Sequence, residues 1–352
     1  MKVSIIVTCG YNPDSVQLEL EKDRLIKFTK CLSAINKLNF ESDDEVIISE
    51  YSSKEYLKNI VFSTLSLGFK KQYICSNKKD SKYFNQSISK NAAIKVANGD
   101  ILYFINSDII LEKNIFQVIR EEFGSEIDNK FCIGMRHDVF IKNEEVENFI
   151  EEINLNKNYS YTENIKIQDP GWLYALDKLD ESYKVKVFTH PSYKDKMIYD
   201  FMQGYFVFGD CFGMSKNTAL KFMFDDKCVS LTDVFERDRI FNHNQNGYHF
   251  IYLQHKTACF HLSGQDYGAQ TKVGTEKEKR LMEDQHYLMN KYDELHFWSI
   301  FGYHKDFDLE IAQWYTKKQV KELIEKYRTL IYWKYFTDKS TFCATYNVNE
   351  TI

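Results

Sequence analysis

The stretch Gly99-Asp100-Ile101-Leu102-Tyr103-Phe104-Ile105-Asn106-Ser107-Asp108 decides how this chain folds. Ile101 to Ile105 is an unbroken apolar run of β-branched and aromatic residues, which reads as a buried strand. Asn106, Ser107 and Asp108 follow where that strand leaves the core. A carboxylate fixed at a strand end can hold a hard divalent cation against the phosphates of a nucleotide, because Mg²⁺ and Mn²⁺ take oxygen ligands. The same tripeptide also reads as a plain turn whose side chains bond their own backbone. Its neighbours in sequence have to decide.

Toward the N-terminus the strand pattern recurs in alternation with helical spacing. Val3 to Val7 is a continuous apolar strand, followed by a Gly10-Tyr11-Asn12-Pro13-Asp14 turn and a helical segment through Leu25, Ile26, Phe28, Cys31, Leu32 and Ile35. Glu45 to Ser49 is a second strand, a helical stretch covers Lys54 to Leu67, and Gln72 to Cys75 is a short third strand. A helix from Ser87 to Ala97 is stopped by Asn98-Gly99. Another helix, Lys113 to Glu122, follows the fourth strand. Such alternation predicts an α/β fold, a Rossmann-like, mostly parallel sheet flanked by helices. Ligands in these sheets bind beyond the carboxyl ends of the strands. Three strand ends carry suitable polar residues: Thr8 to Asn12, Glu50 to Ser53 and Asn106 to Asp108.

Beyond residue 125 the pattern is weaker. Strands are expected at Phe131 to Met135 and Lys184 to Phe188, with an irregular insertion around Asp169-Pro170-Gly171-Trp172. Gly204 to Ser215 reads as a strand pair or bent strand, and Asn217 to Met223 as a short helix. An acidic turn at Phe224-Asp225-Asp226, a charged helix at Asp233 to Asn244 and a strand at Tyr248 to Leu253 complete this part. Residues 266–352 differ in character, with helical periodicity at Glu276 to Tyr292 and Thr316 to Tyr335. The apolar stripe through Val320, Leu323, Ile324, Tyr327, Leu330 and Ile331 fits a helix packed on the body of the protein, and fits an interfacial helix resting on a membrane as well.

Composition narrows the function classes. A chain of 352 residues suggests one large domain with an addition, or two domains. With 46 basic and 51 acidic residues well mixed and a net charge of −5, no global field attracts nucleic acid. The eight cysteines form no CxxC pair and no metal-finger spacing, which reads as reduced, buried thiols of a cytoplasmic protein. The N-terminus starts a strand at once, so no signal peptide is expected, and no run approaches the ~20 apolar residues of a membrane span. A peripheral position at the inner face of the membrane is left open by the C-terminal stripe.

Three segments, taken in order, carry a resemblance. Val3-Ser-Ile-Ile-Val-Thr-Cys-Gly-Tyr-Asn12, Asp44-Glu-Val-Ile-Ile-Ser-Glu-Tyr-Ser-Ser53 and Ser89-Lys-Asn-Ala-Ala-Ile-Lys-Val-Ala-Asn-Gly-Asp-Ile-Leu-Tyr-Phe-Ile-Asn-Ser-Asp108 resemble the opening of family 2 type glycosyltransferases with the GT-A fold, as in bacterial capsule and O-antigen synthesis and in galactosyltransferase-like enzymes. The match is good over residues 1–120 and looser over 200–265. It implies a catalytic domain at 1–265, made of a nucleotide-sugar-binding half at 1–125 and an acceptor-binding half at 126–265, with a helical C-terminal extension at 266–352.

What the resemblance implies for the site can be stated residue by residue. Thr8, Tyr11 and Glu50 fall around the base and ribose of the donor, where a carboxylate can accept from ribose hydroxyls or a uracil N–H. Lys90 and Asn91 occupy the place of the family's basic residue and Asn, with Lys90 directed at a phosphate; the plain alternative is a solvated helical lysine. Asn106 replaces the first carboxylate of the family's Asp-X-Asp motif, which leaves Asp108 as the main metal ligand. Phe260-His261-Leu262-Ser263-Gly264 resembles the element that supplies a late histidine ligand, so His261 joins Asp108, and imidazole suits Mn²⁺ better than Mg²⁺. Phe224-Asp225-Asp226 and Thr232-Asp233-Val-Phe-Glu236-Arg-Asp-Arg239 resemble the turn and helix that carry the catalytic base. Asp233 is that base in one register and Glu236 in another. On the acceptor side, Trp172 and Tyr205 offer flat apolar faces, and Asp210 can bond sugar hydroxyls.

The function implied is a metal-dependent inverting transfer of a sugar from a nucleotide-sugar, a UDP-sugar in the first instance, to a glycan or lipid-linked acceptor in surface polysaccharide synthesis. A nucleotidyltransferase is the competing enzyme class, against which stands the lack of a Gly-rich phosphate loop. A non-catalytic nucleotide-sugar-binding protein of the same fold is suggested by Asn106 and Thr232. A homodimer through the C-terminal helices is left open.

Overall fold

The structure is a computed structural model, and it describes residues 1–11, 13, 18–66, 68–77, 84–125, 127–128, 130–139, 141–155, 165–166, 184–188, 211–228, 251–262, 283–284, 287, 312–316, 318 and 342–345. Its strands in chain order are β1 (Val3–Cys9), β2 (Glu45–Ser52), β3 (Lys70–Asn77), β4 (Ile101–Asn106), β5 (Ile109–Leu111), β6 (Lys130–Val139), β7 (Ile165–Lys166), β8 (Lys184–Phe188), β9 (Cys211–Ser215), β10 (Ile251–Leu262), β11 (Ala312–Thr316) and β12 (Phe342–Thr345). The helices are α1 (Leu18–Ile35), α2 (Lys58–Thr64), α3 (Gln86–Val96), α4 (Ile115–Phe123), α5 (Val146–Leu155) and α6 (Lys216–Lys221).

The main sheet runs β12-β10-β6-β9-β4-β1-β2-β3, with β5 paired to β10 and β7 to β6. Strands β3, β2, β1 and β4 are mutually parallel, and β6 and β10 are parallel to each other. Between these two groups β9 runs antiparallel to both β4 and β6. The sheet is therefore mixed and mostly parallel, as the alternation of strands and helices predicts.

Both faces of the central strands are buried, which is why their sequences read as continuous apolar runs. Side chains alternate across the sheet. Val3, Ile5, Val7, Val46, Ile48, Ile101, Tyr103 and Ile105 share one core with Phe28, Cys31, Leu32 and Ile35 of α1, Val61 of α2, and Phe116, Ile119 and Phe123 of α4. Ile6, Ile47, Leu102 and Phe104 share the opposite core with Ala93 and Ile94 of α3, Ala219 of α6, and Phe212 and Phe224. Phe28, Cys31, Leu32 and Ile35 have the i, i+3, i+4, i+7 spacing of one helix face. Ile26, expected on that stripe, lies off it and is 40% exposed.

Several boundaries differ from the sequence reading. The helix expected at Lys54 to Leu67 is shorter at Lys58–Thr64, and the strand expected at Gln72 to Cys75 is longer at Lys70–Asn77. Helix α3 ends in an extended Ala97 (φ −59°, ψ 140°), not in a left-handed glycine. Gly99 serves a close approach, since a Cβ there would stand 2.5 Å from the Ser4 backbone nitrogen. The strand expected at Tyr248 to Leu253 runs on to Leu262, which places His261 inside β10 and not beyond it. Extension is favoured because β5 and β6 supply ladder partners on both sides as far as His261. Within 266–352, read as helical from its periodicity, the described residues include strands β11 and β12. Strand β12 adds antiparallel to the outer edge of β10, where backbone groups are available for pairing.

Candidate active site

The parallel strands β1, β2, β3 and β4 end along a common edge. Register places Thr8 of β1 between Ser49 of β2 and Asn106 of β4, and Cys9 opposite Glu50, which in turn faces Cys75 of β3. Just past β4, the backbone turns at Ser107-Asp108 into the short strand β5. There β10 pairs with it, with His261 opposite Ile109. The amide of Leu262 also donates to the Asp108 carbonyl at 2.9 Å. These ladder contacts bring two side chains far apart in sequence together: His261 Nε2 lies 3.2 Å from Asp108 Oδ2. His261 is nearly buried, whereas the Asp108 side chain is 33% exposed, so the pair is open on the carboxylate side.

This pair fits a divalent ion. Two donors on cis positions of an octahedral ion, each at ~2.1 Å, stand about 3 Å apart, close to the observed separation. An imidazole with a single carboxylate is a borderline donor set that suits Mn²⁺ over Ca²⁺. Among the described residues no third His, Cys, Asp or Glu joins the cluster. Its nearest companion by position is Asn106, whose Oδ1 accepts from Gln86 Nε2 at 3.3 Å.

Glu50 is buried at the end of β2. Its Oε2 accepts from the Leu57 amide at 3.1 Å, just ahead of α2, and from the Tyr73 hydroxyl. Its Oε1 is buried and has no hydrogen-bond partner among the described residues. The carboxylate lies close enough to its neighbours to act on their ionisation. Burial first, then the Glu50 charge, pushes the Cys9 and Cys75 thiols up, and burial together with the hydrogen bond to Glu50 pushes Tyr73 up. Across the core, burial and the Asp108 charge raise the Cys31 thiol. These cysteines are protonated and inert near neutrality.

Thr8 lies near the end of β1 and Tyr11 just past it, next to β2. The buried Thr8 hydroxyl donates to the Ile105 carbonyl at 3.4 Å. Tyr11 is tied to β2 through Ser52, whose hydroxyl donates to the Tyr11 carbonyl at 3.0 Å, and its ring meets Tyr56 edge-on at 6.2 Å. Gly10 lets this loop close on Phe84, because a Cβ at residue 10 would stand 2.7 Å from that ring.

Lys90 and Asn91 both lie on α3. Lys90 is fully buried, and its ammonium lies 4.6 Å from the Phe212 ring centroid, 5.1 Å from Phe224 and 5.9 Å from Phe104. It is therefore not a solvated helical lysine. Its helix turns it under the sheet, where the ring faces attract the cation. Asn91 donates from Nδ2 to the Phe224 carbonyl at 2.8 Å and accepts at Oδ1 from the Phe224 amide at 2.9 Å.

The residues brought together at this edge are thus Thr8, Tyr11, Glu50, Asn106, Asp108 and His261. Asp233, Glu236, Trp172, Tyr205 and Asp210 lie outside the described residues. Two side chains of the site carried no sequence motif. Tyr73 is the partner of Glu50, a relation visible only once β2 and β3 are in register. Asn85 caps α3 by accepting from the Ile88 amide at 3.1 Å, and an Asn just ahead of the helical spacing is the signal that could have marked it.

No family model matches the chain, and no curated protein sequence does. Solved structures are similar at low identity. TarS of S. aureus matches over 88% of this chain and 46% of its own, at 14% identity and a TM-score of 0.42. Its 1–349 portion in complex with UDP-GlcNAc matches over 83% and 66%, at 12% and 0.44. GalNAc-T7 with UDP, GalNAc and Mn²⁺ matches over 84% and 48%, at 10% and 0.45. The chain spans about half the length of full TarS. The sheet itself, parallel in its first half and interrupted by the reversed strand β9, is a Rossmann-like mixed sheet. No helix among the described residues is long and apolar enough to cross a membrane.

Proposed function

We propose that the chain is a glycosyltransferase that moves a sugar from a nucleotide-sugar, a UDP-sugar in the first instance, onto a hydroxyl of a glycan or lipid-linked acceptor. The observation that carries this reading is the Asp108–His261 pair, set 3.2 Å apart just past Asn106 at the carboxyl edge of the parallel strands, with Glu50 on the same edge two strands away. A site for a divalent ion and an acceptor for a nucleoside lie there along one edge, which is where open α/β sheets bind their ligands.

Each residue then has a task. The remaining oxygen of Glu50 accepts from the donor's base N–H or a ribose hydroxyl, with Thr8 and Tyr11 as further donor-side residues. Asp108 and His261 would hold Mn²⁺ or Mg²⁺, with Asn106 as a neutral neighbour. When bound, such an ion offsets the charge that develops on the departing nucleoside diphosphate. In the transfer itself, the acceptor oxygen bonds to the anomeric carbon while the bond from that carbon to the phosphate oxygen breaks, and its electron pair leaves with the diphosphate. Asp233, or Glu236 in the other register, takes the acceptor proton as general base. A single displacement of this kind inverts the anomeric centre. Trp172, Tyr205 and Asp210 are assigned to the acceptor side by the resemblance alone, and a role in surface polysaccharide synthesis follows from the same source.

The test is release of free UDP from a panel of UDP-sugars with Mn²⁺, Mg²⁺ or chelator, backed by calorimetry with UDP. Turnover of one donor that chelator stops and Asp108→Ala abolishes supports the assignment. Absence of both turnover and metal-dependent UDP binding overturns it.

A further inference from the structure

The first turn of helix α3 stands at the carboxyl edge, beside the end of β4. Side chains alternate along a strand, so Thr8 of β1 and Asn106 of β4 lie on the face from which Ile6, Leu102 and Phe104 meet α3. Glu50 lies on the opposite face, where the Leu57 amide ahead of α2 reaches it. Gln86 Nε2 donates to Asn106 Oδ1 at 3.3 Å, and this bond sets how the Gln86 amide is turned.

The other end of that amide is unused. Gln86 Oε1 is buried and has no hydrogen-bond partner among the described residues. Ser87, next along the helix, is fully buried, and its Oγ has none either. Loose packing does not account for this, because the polar residues on both sides are satisfied. Asn85 Oδ1 accepts from the Ile88 amide at 3.1 Å, and Asn85 Nδ2 donates to the Asp226 carbonyl at 2.8 Å. Ser89 Oγ donates to the Ser49 carbonyl at 2.8 Å, and Ser49 Oγ donates to the Ser89 carbonyl at 2.8 Å. Unpaired buried atoms are costly and mark places where something else binds.

The chemistry of the vacant acceptor narrows what it takes. An amide oxygen only accepts, so its partner is an O–H or an N–H, and an anionic phosphate oxygen is repelled. A nucleotide with its base at Glu50 on β2 and its diphosphate at the Asp108–His261 pair past β4 crosses the end of β1, which lies between those strands. The piece between base and diphosphate is the ribose, and it carries hydroxyls.

We infer that Gln86 is a specificity-determining residue whose Oε1 accepts from a ribose hydroxyl of the donor, with Ser87 Oγ as a second contact. This rests on the transferase reading above. A ribonucleotide then satisfies atoms that the free protein leaves bare. A nucleotide lacking that hydroxyl strands them, which is how a polar site rejects an analogue that is one hydroxyl short.

The experiment is calorimetry on the full chain with Mn²⁺ and UDP, 2′-deoxy-UDP or 3′-deoxy-UDP, with one UDP-sugar as a fourth ligand. The native chain should bind UDP about 5- to 10-fold tighter than one of the two deoxy analogues. In Gln86→Met that preference should fall to about one. Loss of the bond to Asn106 acts on all three nucleotides alike and cancels in the ratio. Gln86→Glu keeps an oxygen acceptor and should keep the preference. If Gln86→Met does not fold, Ser87→Ala carries the test and should lower the same ratio. A preference that survives in the folded variants overturns the inference, including the case where all nucleotides weaken together. An unchanged ratio with UDP-sugar binding alone weakened places the contact on the transferred sugar and overturns the ribose assignment. A native chain that binds no UDP overturns the transferase reading itself, a failure seen before any variant is made.

Discussion

At the amino edge of the parallel strands the buried polar groups are used up, while at the carboxyl edge several are left over. Glu45, at the start of β2, accepts from Ser4 Oγ at 2.7 Å, from Gln72 Nε2 at 2.8 Å and from both the amide and the side chain of Asn98. Asp44 beside it accepts from the amides of Val3 and Glu41 and pairs with Arg120. At the opposite edge Glu50 Oε1, Ser76 Oγ, Gln86 Oε1 and Ser87 Oγ are buried without a hydrogen-bond partner among the described residues. A buried polar atom left unpaired costs about 1–3 kcal/mol, so a fold retains such atoms where something else is to be bound. Among the described residues, the same sheet thus satisfies its buried polar groups at one end and leaves several unsatisfied at the other.

The largest effect that can break this contrast is at the carboxyl edge. Asp108→Ala should lower turnover by about 10³-fold, some 4 kcal/mol in the barrier, with the melting midpoint nearly unchanged; equal losses of stability and activity would erase the distinction between the edges. Next comes Glu45→Ala, which strands the Ser4, Gln72 and Asn98 donors and should cost about 3 kcal/mol in urea unfolding. UDP affinity of the folded fraction should be retained. Glu50→Gln is smaller: it keeps an acceptor for Leu57 and Tyr73, so stability should change by less than about 1 kcal/mol, while UDP binding weakens about tenfold.

Acid and base sharpen the same comparison. Burial raises the Glu45 carboxyl, but hydrogen bonds from Ser4, Asn98 and Gln72 outweigh it and hold it below the usual carboxylate range. Its stabilisation is present above the unfolded value of about 4.3 and is lost as pH falls through the lower folded value. Glu45→Gln should flatten the acid limb of a stability profile. The Cys9 and Cys31 thiols are raised, so their contribution is complete below about pH 8.5 and is lost as pH climbs above it toward their folded values. Unfolding in urea at acid, neutral and alkaline pH measures both limbs. Smallest of all, Phe62→Ser on the exposed side of α2 should change stability by no more than about 0.5 kcal/mol.

Much of the first half was legible because its physics is local. The runs at Val3 to Val7 and Ile101 to Ile105 are apolar at every position, and only a strand covered on both faces has use for that. The carboxyl-edge residues Thr8, Glu50 and Asp108 followed from knowing where those strands stop. What escaped was set by register and by helix rotation. A single lysine on α3 gives no hint of which face it occupies, and the burial of Lys90 beside Phe212 and Phe224 depends on rings that come from far along the chain. Tyr73 meets Glu50 only through the pairing of β2 with β3. Ile26 matched a helical stripe by composition but not by angle. His261 can be named from its sequence neighbours, yet its distance from Asp108 depends on how β10 lies against β5.

That last dependence has a consequence for how the site is inherited or lost. Along β10 the pairing with β6 passes from Gln254 opposite Ile133 to Ala258 opposite Met135, so four steps on one strand match two on the other. The two surplus residues are an even number, and the alternation of side chains emerges from the irregularity in phase. Removing one residue from 255–257 would leave a strand of nearly the same length with His261 facing the opposite way, toward the side where Phe260 now packs. The Asp108–His261 pair could be erased in this manner by a single-codon deletion that alters neither residue, and restored by a second deletion close by.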